Sequence, residues 1–269
     1  MFNFRNLLNR VPPTAQLTPA FDFTRMLNWK ILRGSHEFPG PDGGTCINEA
    51  AIVAAGYPYR PVRRIDDCPA SFSRPLALYA MCLNEIVLSD DLRQELLLPF
   101  VARLAGSADS LEVEMARVGL IIQRTVATIL PEALERAGCD RDARRCRAAV
   151  TIRDAVAAVK QLSGRNWHAR GPHLIGLINS ISMAVEDHLA YRAVDAAQYA
   201  GTAIADVAEL VGAASGADAA QRVETIYRRA AGLLDEALRI GNRAEPIAPE
   251  MVASRMQRVR QAAPEPHAA

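Results

Sequence analysis

Lysine is nearly missing from this chain. Of its 31 basic residues, only Lys30 and Lys160 are not arginine. Its surface cations are therefore mostly planar guanidinium groups, suited to bidentate pairing with carboxylates. An excess of one charge is missing too: 31 basic against 30 acidic residues leave a net charge of +1. A nucleic-acid partner usually demands a clearly basic domain or stripe, so none is indicated. No apolar run approaches the ~18 residues of a membrane span. The nearest, Leu174 to Val185, is interrupted by Asn179, Ser180 and Ser182. Cysteine is sparse, odd in number at five, and scattered, unlike a secreted disulfide framework. The opening Met1-Phe2-Asn3-Phe4-Arg5 lacks the charged-then-apolar pattern of a signal peptide. These absences together lead to the expectation of a reduced, cytoplasmic protein.

What is present is ordinary for a globular chain: 50% apolar and 23% charged residues in a total of 269, with a mean hydropathy of +0.00. That length allows one large or two small domains and burial of roughly 75% of the unfolded surface. Neither a disulfide nor a metal is needed for bulk stability.

The pattern divides into four stretches: an N-terminal arm at 1–33, a Cys/His loop–helix unit at 34–109, a helical bundle at 110–243 and a flexible tail at 244–269. Glycines and prolines crowd 34–44, after which Thr45 reads as the N-cap of a helix from Cys46 to about Ala55, stopped by Gly56. Helices are expected over about 72–87, then from a Ser89 cap to Gly106 with a kink at Pro99, then over 110–137. Further helices are expected from an Asp140 cap to Leu162, over about 172–211, and from an Asp218 cap to Gly241. A short helix near 249–260 is possible in the tail. No run of alternating residues marks a strand. The fold class is therefore mainly α, a small Cys/His loop–helix unit packed on a multi-helix bundle. The alanines at 190, 193, 196, 197, 200, 203, 205 and 208 fit close helix packing, within the chain or in a homo-oligomer.

The chemistry-bearing types converge on residues 34–68. His36, Cys46 and Cys68 are ligand types zinc accepts, and Glu49 supplies a fourth ligand or a base acting on bound water. The spacing H-x9-C-x2-E-x18-C is far looser than paired C-x-x-C motifs. The same residues also suit two small core cysteines and a hydrogen-bonded loop histidine. In a third reading, Cys46 at a helix N-terminus is a nucleophile and His36 its base, giving a cysteine-dependent hydrolase. In a fourth, the glycines before the helix present free N–H groups to an anion. Beyond this stretch, Glu186-Asp187-His188 with Arg192 and Asp195 forms a polar pocket or a paired, solvated face. Trp167, His168 and Arg170 lie on a candidate lid loop. Cys82, Cys139 and Cys146 look passive. No Glu-x-x-His pair supports a di-iron bundle.

On Gly34-Ser35-His36, Gly44-Thr45-Cys46-Ile47-Asn48-Glu49-Ala50, Asp67-Cys68-Pro69 and the segment Leu98 to Gly106, the chain resembles a group of bacterial and phage proteins. That group carries a G-S-H…G-x-C-x-x-E-A…C block and an alanine-rich helical C-terminal half with a late Leu-Leu-Asp, here Leu233-Leu234-Asp235. The match is strongest over about 30–106. The resemblance implies that His36, Cys46, Glu49 and Cys68 act together, and transfers no activity. The function expected first is therefore a zinc-binding helical protein, with two alternatives: a structural or adaptor protein that binds a partner through its helical half, and the cysteine-dependent hydrolase using Cys46 and His36.

Overall fold

The computed structural model describes residues 30–36, 44–167, 169, 171–213, 218–241 and 247–261. The N-terminal arm before Lys30 therefore lies outside the described residues. The chain is mainly helical. A two-residue strand β1 (Lys30–Ile31) pairs in parallel with β2 (Gly44–Thr45), a pairing the sequence pattern does not reveal. The helices follow in order: α1 (Ile47–Ala54), α2 (Arg74–Ile86), α3 (Asp90–Leu97), α4 (Val101–Leu104), α5 (Leu111–Arg124), α6 (Leu130–Arg136), α7 (Asp140–Arg147), α8 (Ile152–Ser163), α9 (Pro172–Leu189), α10 (Ala193–Gly212), α11 (Ala219–Leu238) and α12 (Pro249–Gln261).

Local chemistry sets many of the boundaries. Ser73, Ser89, Ser110 and Thr151 each accept a backbone N–H from the first turn of their helix. Pro99 interrupts α3 and α4 with a 3₁₀ turn at Leu98–Phe100. Pro131 has a different effect. It has no N–H to give and its ring crowds the preceding turn, and the chain widens into a π turn at Thr125–Ile129, with the Leu130 amide reaching back to Thr125.

The alanine-rich α10 is the central element. It packs against α9, α2, α11, α5 and α6. Ala193, Ala196, Ala197, Ala200, Ala203 and Ala208 are all buried inside the chain, so intrachain packing uses this face. Gly201 lies so close to α2 that an added Cβ would sit 2.7 Å from the Cys82 Cβ. The stretches 34–109 and 110–243 share one apolar core, since α2 lies against both α10 and α11.

Two expectations need correction. The helix sought over 140–162 is two helices, parted at Ala148–Thr151, where Thr151 and Asp154 cap each other reciprocally. The helix sought over 172–211 is also two, turning back at Tyr191. The short helix foreseen near 249–260 is present as α12, whose Val252 and Met256 are buried, with α1 as its main neighbour. Among the described residues, no helix is long and apolar enough to cross a membrane.

Candidate functional site

The site is assembled around one carboxylate. Glu49, on the first turn of α1, is fully buried. Its Oε1 accepts the Ser35 hydroxyl at 2.6 Å, the His36 amide at 3.1 Å and the Val62 amide at 2.9 Å. Its Oε2 accepts the Cys46 amide at 2.8 Å and the Thr45 hydroxyl at 3.3 Å. A buried charge must be met by hydrogen bonds or counter-charge, and here hydroxyls and amides meet it. Three separate segments, 34–36, 44–46 and the loop after α1, are thereby tied to one side chain.

Cys46, not Thr45, is the N-cap of α1. Its backbone is extended (φ −78°, ψ 165°) and its Sγ accepts the Glu49 amide at 3.4 Å. Glu49 returns a bond to the Cys46 amide, closing a reciprocal cap in which a thiol stands where serine or threonine is usual. Thr45 instead lies in the strand opposite Ile31, its carbonyl accepting the Leu32 amide and its hydroxyl donating to Glu49. The Ile47 amide is taken by Asn84 Oδ1 at 3.3 Å, and Asn84 Nδ2 also donates to the Leu32 carbonyl. The Cys46, Ile47 and Glu49 amides are thus in use and not available to an anion, while Gly40 and Gly43 of the anion-binding reading lie outside the described residues.

Burial pushes the Cys46 thiol well up, and the neighbouring Glu49 charge adds to this. The thiolate expected from the helix dipole is thus opposed by a larger effect. Cys68 is buried as well, and burial raises it to about 11 against the opposing pull of Arg74 and Arg60. Tyr59 donates to the His36 carbonyl at 2.7 Å, and its hydroxyl is pushed up first by burial and then by Glu49. The Nε2 of His36 is buried with no hydrogen-bond partner.

The structure therefore brings His36, Cys46 and Glu49 to one junction, with Cys68 in the loop that follows. Among the described residues, no group of three or more His, Cys, Asp or Glu side chains is placed to hold a metal ion. Glu37 and Asp42 lie outside the described residues. Tyr59, Val62 and Asn84 complete the junction without having been singled out by the sequence, and Ser35 stood there only as part of the Gly34-Ser35-His36 block. Only the C-x-x-E spacing of the cap hinted at them, and a thiol in the capping position disguises that signature.

The other candidates resolve differently. Trp167 is buried and its Nε1 donates to the Leu162 carbonyl at 2.8 Å, while His168 and Arg170 lie outside the described residues. Asp187 is buried and pairs with Arg192, whose Nε lies 2.9 Å away. His188 packs over Gly119, its Nδ1 without a partner. Burial raises Cys82 to about 11 and Cys146 to about 12, in keeping with passive roles. An open cleft of 330 Å³ at the start of α7 is lined by Cys139, Arg141, Arg144 and Arg165, and its buried Asp142 is paired with both Arg145 and Arg165. No family model, curated protein or solved structure matches the chain.

Proposed function

We propose that this chain is a structural or adaptor protein that binds a partner protein through its helical half, with the Cys/His loop–helix unit serving to fix the fold. The observation that carries this reading is the Glu49 carboxylate. A carboxylate offers about four lone-pair sites, and Ser35, His36, Thr45, Cys46 and Val62 draw on them from within the chain. Little is left for a metal ion or a substrate proton. The Cys46 thiol is likewise engaged as a helix cap. A cytoplasmic setting belongs to the same proposal and is supported by five free thiols.

Partner binding is supported at one end of the bundle. His188 and Ile152 both approach Gly119, so the turns that follow α9 and precede α8 sit at the same end. Those turns expose Val150 at 79%, Leu189 at 50% and Tyr191 at 70%. Exposed apolar groups gathered at one place mark interaction surfaces more often than isolated ones do.

A second reading keeps zinc, with His36, Cys46 and Cys68 as ligands and Glu49 as fourth ligand or base. The buried, unpartnered Nε2 of His36 favours it. Elemental mass spectrometry of tag-free protein beside Cys46→Ser separates the two readings. The adaptor reading expects no stoichiometric metal and a folded variant. Stoichiometric zinc, lost together with the fold in the variant, supports the second reading and sinks the first.

A further inference from the structure

Many guanidinium groups of this chain are matched to a carboxylate, as Arg103 is to Asp235 and Arg147 to Glu135. The cleft at the start of α7 gathers some that are not. Arg141 and Arg144 line it from the same face of α7, three residues apart. Both are exposed, and neither has an ion-pair partner among the described residues. Arg165, which follows α8, lines the same cleft and is held from two sides. Its Nη1 lies on the Asp142 carboxylate, and its guanidinium sits 5.4 Å from the centre of the Trp167 ring. Trp167 is fixed in turn by its bond to the Leu162 carbonyl. Arg165 stays half-exposed, and a guanidinium has five N–H donors, so some remain after Asp142 is served.

The carboxylates of the cleft do not cancel its charge. Asp142 is buried and shared between Arg145 and Arg165. Asp140 is exposed beside it. The four arginines 141, 144, 145 and 165 against these two aspartates leave an excess of two positive charges. A concave site lined by one sign of charge concentrates the counter-ion. Its volume of 330 Å³ stands at the small end of ligand sites. We propose that this cleft binds a phosphate dianion, free or as the terminal group of a small molecule. Arg141 and Arg144 donate to its oxygens, and Arg165, positioned by Asp142 and Trp167, forms the fixed wall. A phosphate matches the two excess charges and offers three oxygens to three guanidiniums, whereas a single carboxylate offers two. The cleft uses no group of the Glu49 junction and is tested separately from it.

The test titrates inorganic phosphate, glycerol 3-phosphate and succinate into the isotopically labelled full chain, followed by amide NMR shifts. It is repeated on Arg141→Gln/Arg144→Gln and on Arg222→Gln, which removes an exposed arginine of α11. Saturable shifts are expected at the amides of residues 139–144 and 165, with phosphate or its ester bound at least ~10-fold more tightly than succinate. The double variant should weaken that binding at least ~10-fold, the loss that charge-assisted hydrogen bonds entail, while Arg222→Gln leaves it unchanged. The better of the two phosphate probes identifies the free ion or the ester as the ligand. Both variants alter exposed side chains, and an unchanged thermal melt ties the loss to the missing cations. Shifts that do not saturate, equal affinity in the double variant, or succinate binding as well as phosphate would overturn the proposal.

Discussion

The Arg192 amide donates to the Asp187 carbonyl at 2.8 Å while the Arg192 guanidinium grips the Asp187 carboxylate. The Tyr191 amide donates at the same time to the His188 carbonyl. These two bonds form the 6→1 and 5→2 pair that closes a helix when the residue between them is left-handed. Tyr191 is that residue, with φ +60°, and is the only non-glycine residue with positive φ among those described. The turn that folds α10 back onto α9 thus rests on a strained, exposed tyrosine.

Tyr191→Gly is therefore expected to raise stability by about 1 kcal/mol, because an L side chain in this conformation costs ~1–2 kcal/mol and glycine returns part of that as chain entropy. Urea denaturation measures it. An unchanged or lowered midpoint would show that the tyrosine ring contributes contacts that offset the strain. A stabilised variant would also strengthen the case that Tyr191 serves the partner surface, since strain retained at an exposed residue points to function.

Two glycines should respond in opposite directions to the same change. Nothing lies within 4 Å of a Cβ built on Gly232 in α11, so Gly232→Ala is expected to add roughly 0.5–1 kcal/mol from helix propensity. On Gly201 the same atom meets Cys82 at 2.7 Å, so Gly201→Ala should destabilise by about 1–3 kcal/mol through overpacking. Thermal melts of the pair decide it. Equal shifts would mean that α2 and α10 are not in the close contact described.

His188 links stability to pH. Burial lowers its pKa below 6.5, and the unfolded chain then binds a proton more readily than the folded one. Its contribution is absent well above 6.5, becomes destabilising as pH falls through 6.5, and levels off below the folded value. The stability gap between wild type and His188→Gln should shift against wild type between pH 7.5 and pH 5.5, as read by urea midpoints at each pH. A gap independent of pH would remove His188 from the account.

Much of this architecture was readable from residues with local consequences. Ser89 caps α3, and Gly56, Gly106 and Gly241 all sit at positive φ at or just beyond helix ends. The alanine stripe of α10 correctly marked close helix packing. The parts that were missed have no such local signal. The turn at Tyr191 lacks the glycine that normally announces it. The strand pairing of Ile31 with Thr45 spans two residues and leaves no period to detect. The role of Glu49 depends on Ser35 and Val62, which only the tertiary structure brings within reach. The expected association of His36, Cys46 and Glu49 rested on chemical type. The junction instead joins the His36 backbone to the Glu49 side chain, and spacing cannot reveal that difference.

Glu49→Gln tests whether the carboxylate itself is required. The amide keeps one acceptor and replaces the other with a donor that faces hydroxyl and amide donors. A loss of about 2–4 kcal/mol is expected, the range for leaving buried polar groups unsatisfied near a charge-accepting site. Protection of the Cys46 and Val62 amides should fall with it in hydrogen exchange. A neutral substitution would mean that the three segments are held together by something other than Glu49.

The most direct measurement is the stability and metal content of Cys46→Ser. A serine hydroxyl is the better N-cap acceptor and completes the S-x-x-E cap with Glu49, while the apolar packing of the sulfur is lost. The account predicts a folded variant within about 1 kcal/mol of wild type, with no stoichiometric metal in either protein. Wild type carrying one zinc per chain, and a variant that loses both the zinc and the fold, would contradict it.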